Sequence, residues 1–331
     1  MTLMDKSGID VAQSPGQEAD GRSRTEVVRS VRRALNTDEL NRTSGVRSLA
    51  RGAGLVLAAT PTTVLALAIG SWWTWLLHLI IATLVFCTLP SVFHEGAHRN
   101  LARRRVINDT VGTLAATLHL VPFETWRYFH LAHHAHTGTD QDSEVYPPRW
   151  SRWTLLTFPL TQWLFLYLLW KWTASTAAGH GPRWVRNERQ IRAVRVNAAF
   201  TLIGIAILLA AAIVDIRIVV LLFVPLCISL MISSFTIVPE HFPAHNIGPG
   251  EPDQLDRTNS FQSNRAVRLI MWNSNYHAAH HFAPKVPAHY LPRVDGMISE
   301  IQDSNWRWKG YWSWYSTKVP QLPWRLTGTG D

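Results

Sequence analysis

The chain has 331 residues, of which 32 are basic and 23 acidic, and its formal net charge is +9. Two cysteines are too few for a disulfide-stapled secreted domain, and a hydrophobic content of 47% excludes a disordered chain. Histidine and tryptophan are frequent, with 15 and 16 copies, and these two excesses need an explanation.

The first part of the chain is polar. Glycine, serine, aspartate and arginine occur throughout residues 1–51, and we predict a flexible arm there. No apolar core opens the chain, so a cleavable signal peptide is not expected. Within the arm, the segment 25–40 is compatible with a short helix.

Two apolar runs follow the arm, at 52–70 and 71–93. Each is close to the about 20 residues that a helix needs to cross a bilayer. The turn between them is uncharged, whereas Arg42, Arg47 and Arg51 precede the pair. Because basic residues accumulate on the cytosolic side of membrane proteins, we predict a transmembrane hairpin with both ends on that side.

Two further apolar runs are weaker. The run 111–123 is too short to span a bilayer. The run 153–170 is interrupted by Pro159 and Gln162 and is flanked by tryptophans. Because tryptophan favours the headgroup level of a membrane, we predict an interfacial helix for 153–170.

A second pair of long apolar runs lies at 198–214 and 218–238, after an arginine-rich stretch. We predict that this pair is a second hairpin, so that four crossings return the chain to the cytosolic face. The excess of positive charge is then explained by membrane orientation, and no nucleic-acid partner is expected.

Three histidine boxes accompany these runs. The first box is His94 and His98, and the other two contain His130, His133 and His134, and His277, His280 and His281. On a helix, spacings of three and four bring side chains onto one face. Neutral imidazole is a common ligand of zinc, copper and iron. One HxxxH pattern arises easily by chance, but two HxxHH patterns in one chain are rare, so we predict a metal site.

Eight histidines exceed the needs of one metal ion, because tetrahedral zinc takes four ligands. Two metal ions fit the count. An imidazole shell with open positions suits O₂-reactive iron, although copper and zinc also accept imidazole.

The boxes and their flanks resemble the membrane fatty acid desaturase and hydroxylase superfamily. The sequence WRYFH at 126–130, followed by His136 and Thr137, resembles the second box of that family. The sequence NSNYHAAHHFAPKVP at 273–287 resembles its third box closely. The resemblance covers about residues 50–295.

The resemblance implies an all-α integral membrane protein with four transmembrane helices in two hairpins, interfacial helices and a cytosolic, histidine-rich di-iron cap. We expect three parts: the arm 1–51, a desaturase-like membrane domain 52–295, and a tryptophan-rich tail 296–331 on the membrane surface. Arginine dominates the basic residues, as in GC-rich bacterial genomes. We therefore expect a bacterial cell membrane, with the boxes and both termini cytoplasmic.

Members of the family often have a ninth histidine near the end of the last span. His241 is favoured for this position over His245. The resemblance thus implies a ligand set of His94, His98, His130, His133, His134, His241, His277, His280 and His281. Asp140, Asp142 and Glu144 either orient these imidazoles or form a solvated acidic loop. His136 is expected beside the ligands or on the surface.

The implied activity is that of an O₂-dependent oxidoreductase with two non-haem iron ions, which desaturates an aliphatic fatty acyl chain. A hydroxylase or ketolase of a lipid or specialised metabolite is the alternative, because the same boxes serve both outcomes. No redox domain is recognisable in the sequence, so we expect an external electron donor such as ferredoxin with its reductase.

Two other classes compete with this interpretation. His94-Glu95-Gly96-Ala97-His98 fits the HExxH pattern of a zinc metalloprotease with Glu95 as general base, here an intramembrane protease. That interpretation leaves both HxxHH boxes unexplained. A metal transporter would have ionisable residues along its spans. Within the run 71–93, however, His78 is the only residue of that kind.

Overall fold

The computed structural model describes residues 24–35, 37–144, 150–242, 255–299, 301–302 and 306–324. Twelve α-helices are described: α1 (Arg24–Ala34), α2 (Thr37–Ile69), α3 (Trp72–His98), α4 (Arg105–Leu118), α5 (Phe123–His136), α6 (Arg152–Ala177), α7 (Glu188–Val214), α8 (Arg217–His241), α9 (Arg265–Ile270), α10 (His277–Phe282), α11 (Leu291–Ile298) and α12 (Tyr311–Lys318). Two short strands, β1 (Ser260–Phe261) and β2 (Arg307–Trp308), pair in parallel. Single 3-10 turns lie at Leu255–Arg257, Ala288–Tyr290 and Val319–Gln321.

Four of the described helices are long and apolar enough to cross a membrane: Ala50–Ile69 within α2, and the whole of α3, α7 and α8. Each predicted long run falls in one of them. Large apolar side chains remain exposed on these helices, for example Ile213 and Val214 at 87% and 88%, as a lipid environment requires. A mostly helical chain with four candidate membrane-spanning helices is therefore confirmed, while the hairpin topology and the orientation stay predictions.

The link between α2 and α3 is as short as the uncharged turn predicts. Gly70 adopts φ 67 and its N–H bonds to the Ala66 carbonyl over 3.1 Å, which ends α2. A left-handed residue directly after a helix favours glycine because no Cβ opposes that conformation. Ser71 then takes the N-cap position of α3, and α2 packs along α3.

Helix α3 continues beyond the predicted end at residue 93 and contains the first box in its last two turns. It ends at Arg99, which adopts φ 63. Gly96 within the box permits a close helix contact, since a Cβ there would lie 3.0 Å from the Asn108 carbonyl oxygen and 3.1 Å from Gly112 Cα. The glycine of the box thus lets α4 approach α3.

The two weaker runs differ from the four long helices. The run 111–123 is divided between α4 and α5 by a turn in which Leu120 has φ 58. The run 153–170 lies within α6, which has 26 residues and is not among the four apolar helices of spanning character. Leu156, Leu160 and Leu164 form an exposed apolar stripe along α6. The interfacial position of α6 stays a prediction.

Both ends of the described chain pack on the protein. Val28 and Val31 of α1 are buried in the same core as α11, so part of the predicted arm is an ordered helix; residues 1–23 lie outside the described residues. At the other end, Trp314 of α12 is fully buried and packs on Phe242 with ring centroids 5.3 Å apart. The tail 296–331 is therefore part of the core at Trp314, and its contact with a membrane stays a prediction.

Candidate metal centre

All nine predicted ligands converge at the ends of four helices. The last two turns of α3 present the first box, α5 presents the second, and α10 presents the third. His241 is the last residue of α8 and points into the same region. His245 lies outside the described residues. Seven of these side chains are buried, at 8% exposure or less: His130, His133, His134, His241, His277, His280 and His281.

Five histidines form one group, which we call group 1. Its members are His94, His98, His130, His134 and His280, and each offers a ring nitrogen within 4.8 Å of the others. The Nε2 atom of His130 lies 2.9 Å from that of His98 and 3.0 Å from that of His134. The Nε2 atoms of His134 and His280 are 2.9 Å apart.

The remaining four histidines form group 2. Ring nitrogens of His133, His241 and His281 lie within 4.8 Å of one another. His277 belongs with them, because its Nε2 lies 2.8 Å from that of His241 and 3.1 Å from that of His281. The groups are adjacent, with the rings of His134 and His281 only 4.1 Å apart. Consecutive histidines of one box enter different groups because they project about 100° apart on a helix.

The donor set fits metal ions better than hydrogen bonds between rings. A ring nitrogen of a neutral imidazole has either one hydrogen or one lone pair, so Nε2 of His130 cannot make two full hydrogen bonds to its two Nε2 neighbours. Across the described residues, the buried Nε2 of His133 has no hydrogen-bond partner at all. Metal ions that accept the lone pairs would resolve both conflicts.

The protonation state of three rings of group 1 is also suitable. Burial, reinforced by neighbouring imidazoles, holds the pKa of His130, His134 and His280 well below the usual histidine range. These rings are therefore neutral near pH 7. Neutral imidazole is the form that binds metal.

A carboxylate orients one member of group 2. The Nδ1 atom of His133 donates to Oδ1 of Asp142 over 2.8 Å, which leaves its Nε2 lone pair for a ligand. The second oxygen of Asp142 accepts the Gly138 N–H over 2.8 Å. Of the three acidic residues considered above, Asp140 is exposed, and Glu144 lies 4.0 Å from Nε2 of His133.

Residues 70–312 match the fatty acid desaturase family. The chain belongs to this family. The match extends beyond the predicted limit of 295 and includes β2 and the first residues of α12. Family membership and two histidine groups capable of binding metal thus coincide.

Several relatives are acyl-lipid desaturases. The chain is 27% identical to an sn-1 oleoyl-lipid 12-desaturase of Synechocystis sp., over 65% of this chain and 64% of that protein. It is 24% identical to the chloroplastic omega-6 fatty acid desaturase of Glycine max, over 65% of this chain and 55% of that protein. An sn-1 oleoyl-lipid 12-desaturase of Anabaena variabilis is 27% identical over 73% and 72%. The chain therefore covers less than two thirds of the length of the first two relatives.

Three residues contact ligands or their neighbours in this desaturase-family site although the sequence analysis assigned them no role there. Glu240 lies 3.7 Å from Nδ1 of His277 and accepts a hydrogen bond from the hydroxyl of Tyr311. Thr137 lies 3.2 Å from Nδ1 of His281. Glu240 and Thr137 flank histidines in sequence, which is a signal that could have found them. Nothing in the local sequence marks Tyr311.

The glutamate of the HExxH pattern has another role in this desaturase-family protein. The Oε2 atom of Glu95 accepts the backbone N–H of Ala288 over 2.8 Å, which ties α3 to the loop after the third box. This contact gives Glu95 a structural role and does not support the protease alternative.

The other described histidines lie outside both groups. His136 is half-buried and belongs to neither. His78 connects α3 to α8 through the Leu221 carbonyl, 2.9 Å from its Nε2, and His119 packs on Phe86 and Phe93.

Proposed function

We propose that this protein is a membrane-bound, O₂-dependent desaturase of fatty acyl chains that holds two non-haem iron ions. The observation that carries the proposal is the division of nine imidazoles into two adjacent groups where α5 and α10 meet the ends of the apolar helices α3 and α8. Group 1 would hold one iron ion and group 2 the other. When bound, the irons supply the redox chemistry and O₂ activation that removal of hydrogen from an unactivated C–H bond requires.

The chain's own residues prepare the site for this chemistry. Asp142 holds His133 in one tautomer. The indole of Trp126 stacks on the ring of His130 at 4.7 Å between centroids, with an angle of 9° between the planes. This stacking limits rotation of the imidazole and fixes the direction of its lone pair.

An acyl substrate suits the walls next to group 1. Phe93 packs edge-on against Trp126 at 4.8 Å, and Trp126 lies 6.2 Å from His94. These aromatic rings give one side of the group an apolar surface that excludes water and favours a methylene chain. The relatives named above as acyl-lipid or fatty acid desaturases agree with such a substrate.

An external donor would supply the electrons. One relative, similar over a quarter of this chain at 34% identity, is the sn-1 acyl-lipid omega-3 desaturase (ferredoxin) of Synechocystis sp.. Exposed arginines at 103, 104 and 105 offer a basic surface for an acidic protein, although anchoring at the cytosolic side of the membrane uses the same charges. We propose ferredoxin with its reductase as the donor and a cytoplasmic location for both histidine groups.

The test is expression of the chain with a ferredoxin system, followed by mass spectrometry of the lipids. A loss of about two mass units in an acyl chain is expected for desaturation, and a gain of about sixteen would instead assign the chain as a hydroxylase. Purified protein is expected to contain iron at about two atoms per chain. His280→Ala should abolish the activity without loss of membrane insertion. An active protein without iron would overturn the proposal.

A further inference from the structure

A polar cavity lies beside the third histidine box. Its volume is about 560 Å³, within the range of about 300–1,000 Å³ that small-molecule sites occupy. Residues of α9, α11 and β2 line it, together with Tyr276 and with Gln262 and Ser263, which follow β1. Tyr276 directly precedes His277 of group 2. None of the roles given above uses this cavity.

The charged groups in the wall favour an anion. Arg307 and Asp295 form a two-pronged ion pair at 2.7 and 3.2 Å, which compensates one charge of each sign. Arg268 donates to the hydroxyl of Tyr276 over 3.4 Å. In the part of the chain that the structure describes, no carboxylate pairs with Arg268. Two guanidinium groups against one carboxylate leave the wall with one uncompensated positive charge.

Two contacts next to α9 connect the cavity to helices of membrane-spanning length. Ser91 of α3 donates to the carbonyl of Met271, the residue after α9, over 3.0 Å. Next to it, the guanidinium of Arg51 lies 4.6 Å from the ring centroid of Trp272. Ser91 and Arg51 both belong to helices of membrane-spanning length. Tryptophan and arginine at the end of a span favour the headgroup level.

The residue that follows Arg268 in sequence has an exposed apolar side chain. Leu269 follows Arg268 in α9 and is 63% exposed. A helix that carries an arginine in the cavity wall and an exposed leucine at the next position suits a ligand with an anionic headgroup and an apolar chain. The guanidinium group binds phosphate through paired N–H donors.

We propose that this cavity binds the phosphate-bearing headgroup of the lipid whose acyl chain enters the histidine site. The inference rests on the proposed function for the acyl chain, but the binding of the headgroup can be measured without turnover. Arg268 is the residue that recognises the phosphate, and Gly296 forms the part of the wall where bulk can be added. A Cβ at Gly296 meets no atom within 4 Å.

The experiment measures binding by calorimetry to full-length protein in an uncharged detergent. The probes are dihexanoyl phosphatidylglycerol, dihexanoylglycerol without phosphate, and inorganic phosphate. We expect binding of the phospholipid alone. Arg268→Gln should weaken it about tenfold, equivalent to about 1.4 kcal/mol. Arg265→Gln is the matched control, because Arg265 is exposed on the same helix and does not line the cavity.

A second pair of variants tests the cavity without a change in the charge of Arg268. Gly296→Phe should fill the cavity and abolish phospholipid binding, whereas Gly296→Ala should retain it. Equal binding by wild type and Arg268→Gln would overturn the proposal, as would binding of dihexanoylglycerol with the same affinity. Binding of inorganic phosphate as tightly as the phospholipid would overturn the headgroup assignment in favour of a free anion. Iron content and desaturation of the same preparations report separately on the proposed function.

Discussion

The hydroxyl of Tyr311 donates to Oε1 of Glu240 over 2.5 Å, and the other oxygen of that carboxylate lies 3.7 Å from Nδ1 of His277. The C-terminal helix α12 thus contacts group 2 through one buried carboxylate. Glu240 is only 6% exposed, so its orientation depends on the partners that it has inside the protein.

Removal of this hydroxyl should weaken iron binding in group 2. In Tyr311→Phe, Glu240 loses a donor and His277 loses a fixed neighbour. Loss of such an indirect contact typically costs about 10–100-fold in metal affinity. Competition with a chelator measures the effect. Tyr315→Phe is the control. Tyr315 lies one turn after Tyr311 on α12, and its hydroxyl donates to the Phe235 carbonyl instead of to a residue of the site. An unchanged iron affinity in Tyr311→Phe would show that the contact is only structural.

Asp142 provides a second test of ligand orientation. Asp142→Ala removes the acceptor of the His133 Nδ1–H, so the ring can turn and change its tautomer. We expect iron affinity to fall by about tenfold or more. Asp142→Asn keeps one acceptor oxygen, so its iron affinity should lie between those of the wild type and Asp142→Ala. Asp140→Ala removes an exposed acidic residue two positions away and should leave the iron affinity unchanged. Equal losses of iron affinity in both alanine variants would show that the negative charge of the loop matters, and not the orientation of His133.

The close contact at Gly96 makes a prediction about stability. Gly96→Val places side-chain atoms against the Asn108 carbonyl oxygen and Gly112 Cα, and neither backbone atom can rotate away. Overpacking of this kind costs about 1–3 kcal/mol. A thermal melt in detergent should show a lower midpoint than wild type. The same substitution at Gly54, where a Cβ meets nothing within 4 Å, should leave the midpoint nearly unchanged, and similar midpoints for both variants would contradict the packing argument.

Local patterns were sufficient for the parts of this protein that depend on helical spacing. The boxes lie on helices because spacings of three and four repeat with the helix turn, and the four long runs are visible as continuous apolar sequence. The contacts that sequence reasoning missed are between distant residues: Tyr311 and Glu240 are 71 positions apart, and Glu95 and Ala288 are 193 apart. Single-sequence periodicity has no information on such pairs, because it describes only neighbours on one element.

The division into two groups predicts different effects for different histidines. His241 belongs to group 2 alone, whereas group 1 contains five other imidazoles. His241→Ala should therefore reduce the iron content from about two atoms per chain toward about one, because group 1 stays intact. Desaturation should be abolished, because the proposed reaction needs both irons. His136→Ala is the control from the same helix as the second box, since His136 lies outside both groups. Elemental analysis of the purified variants decides the matter: two retained irons in His241→Ala would exclude His241 as a ligand, and loss of both would show that the groups bind metal only together.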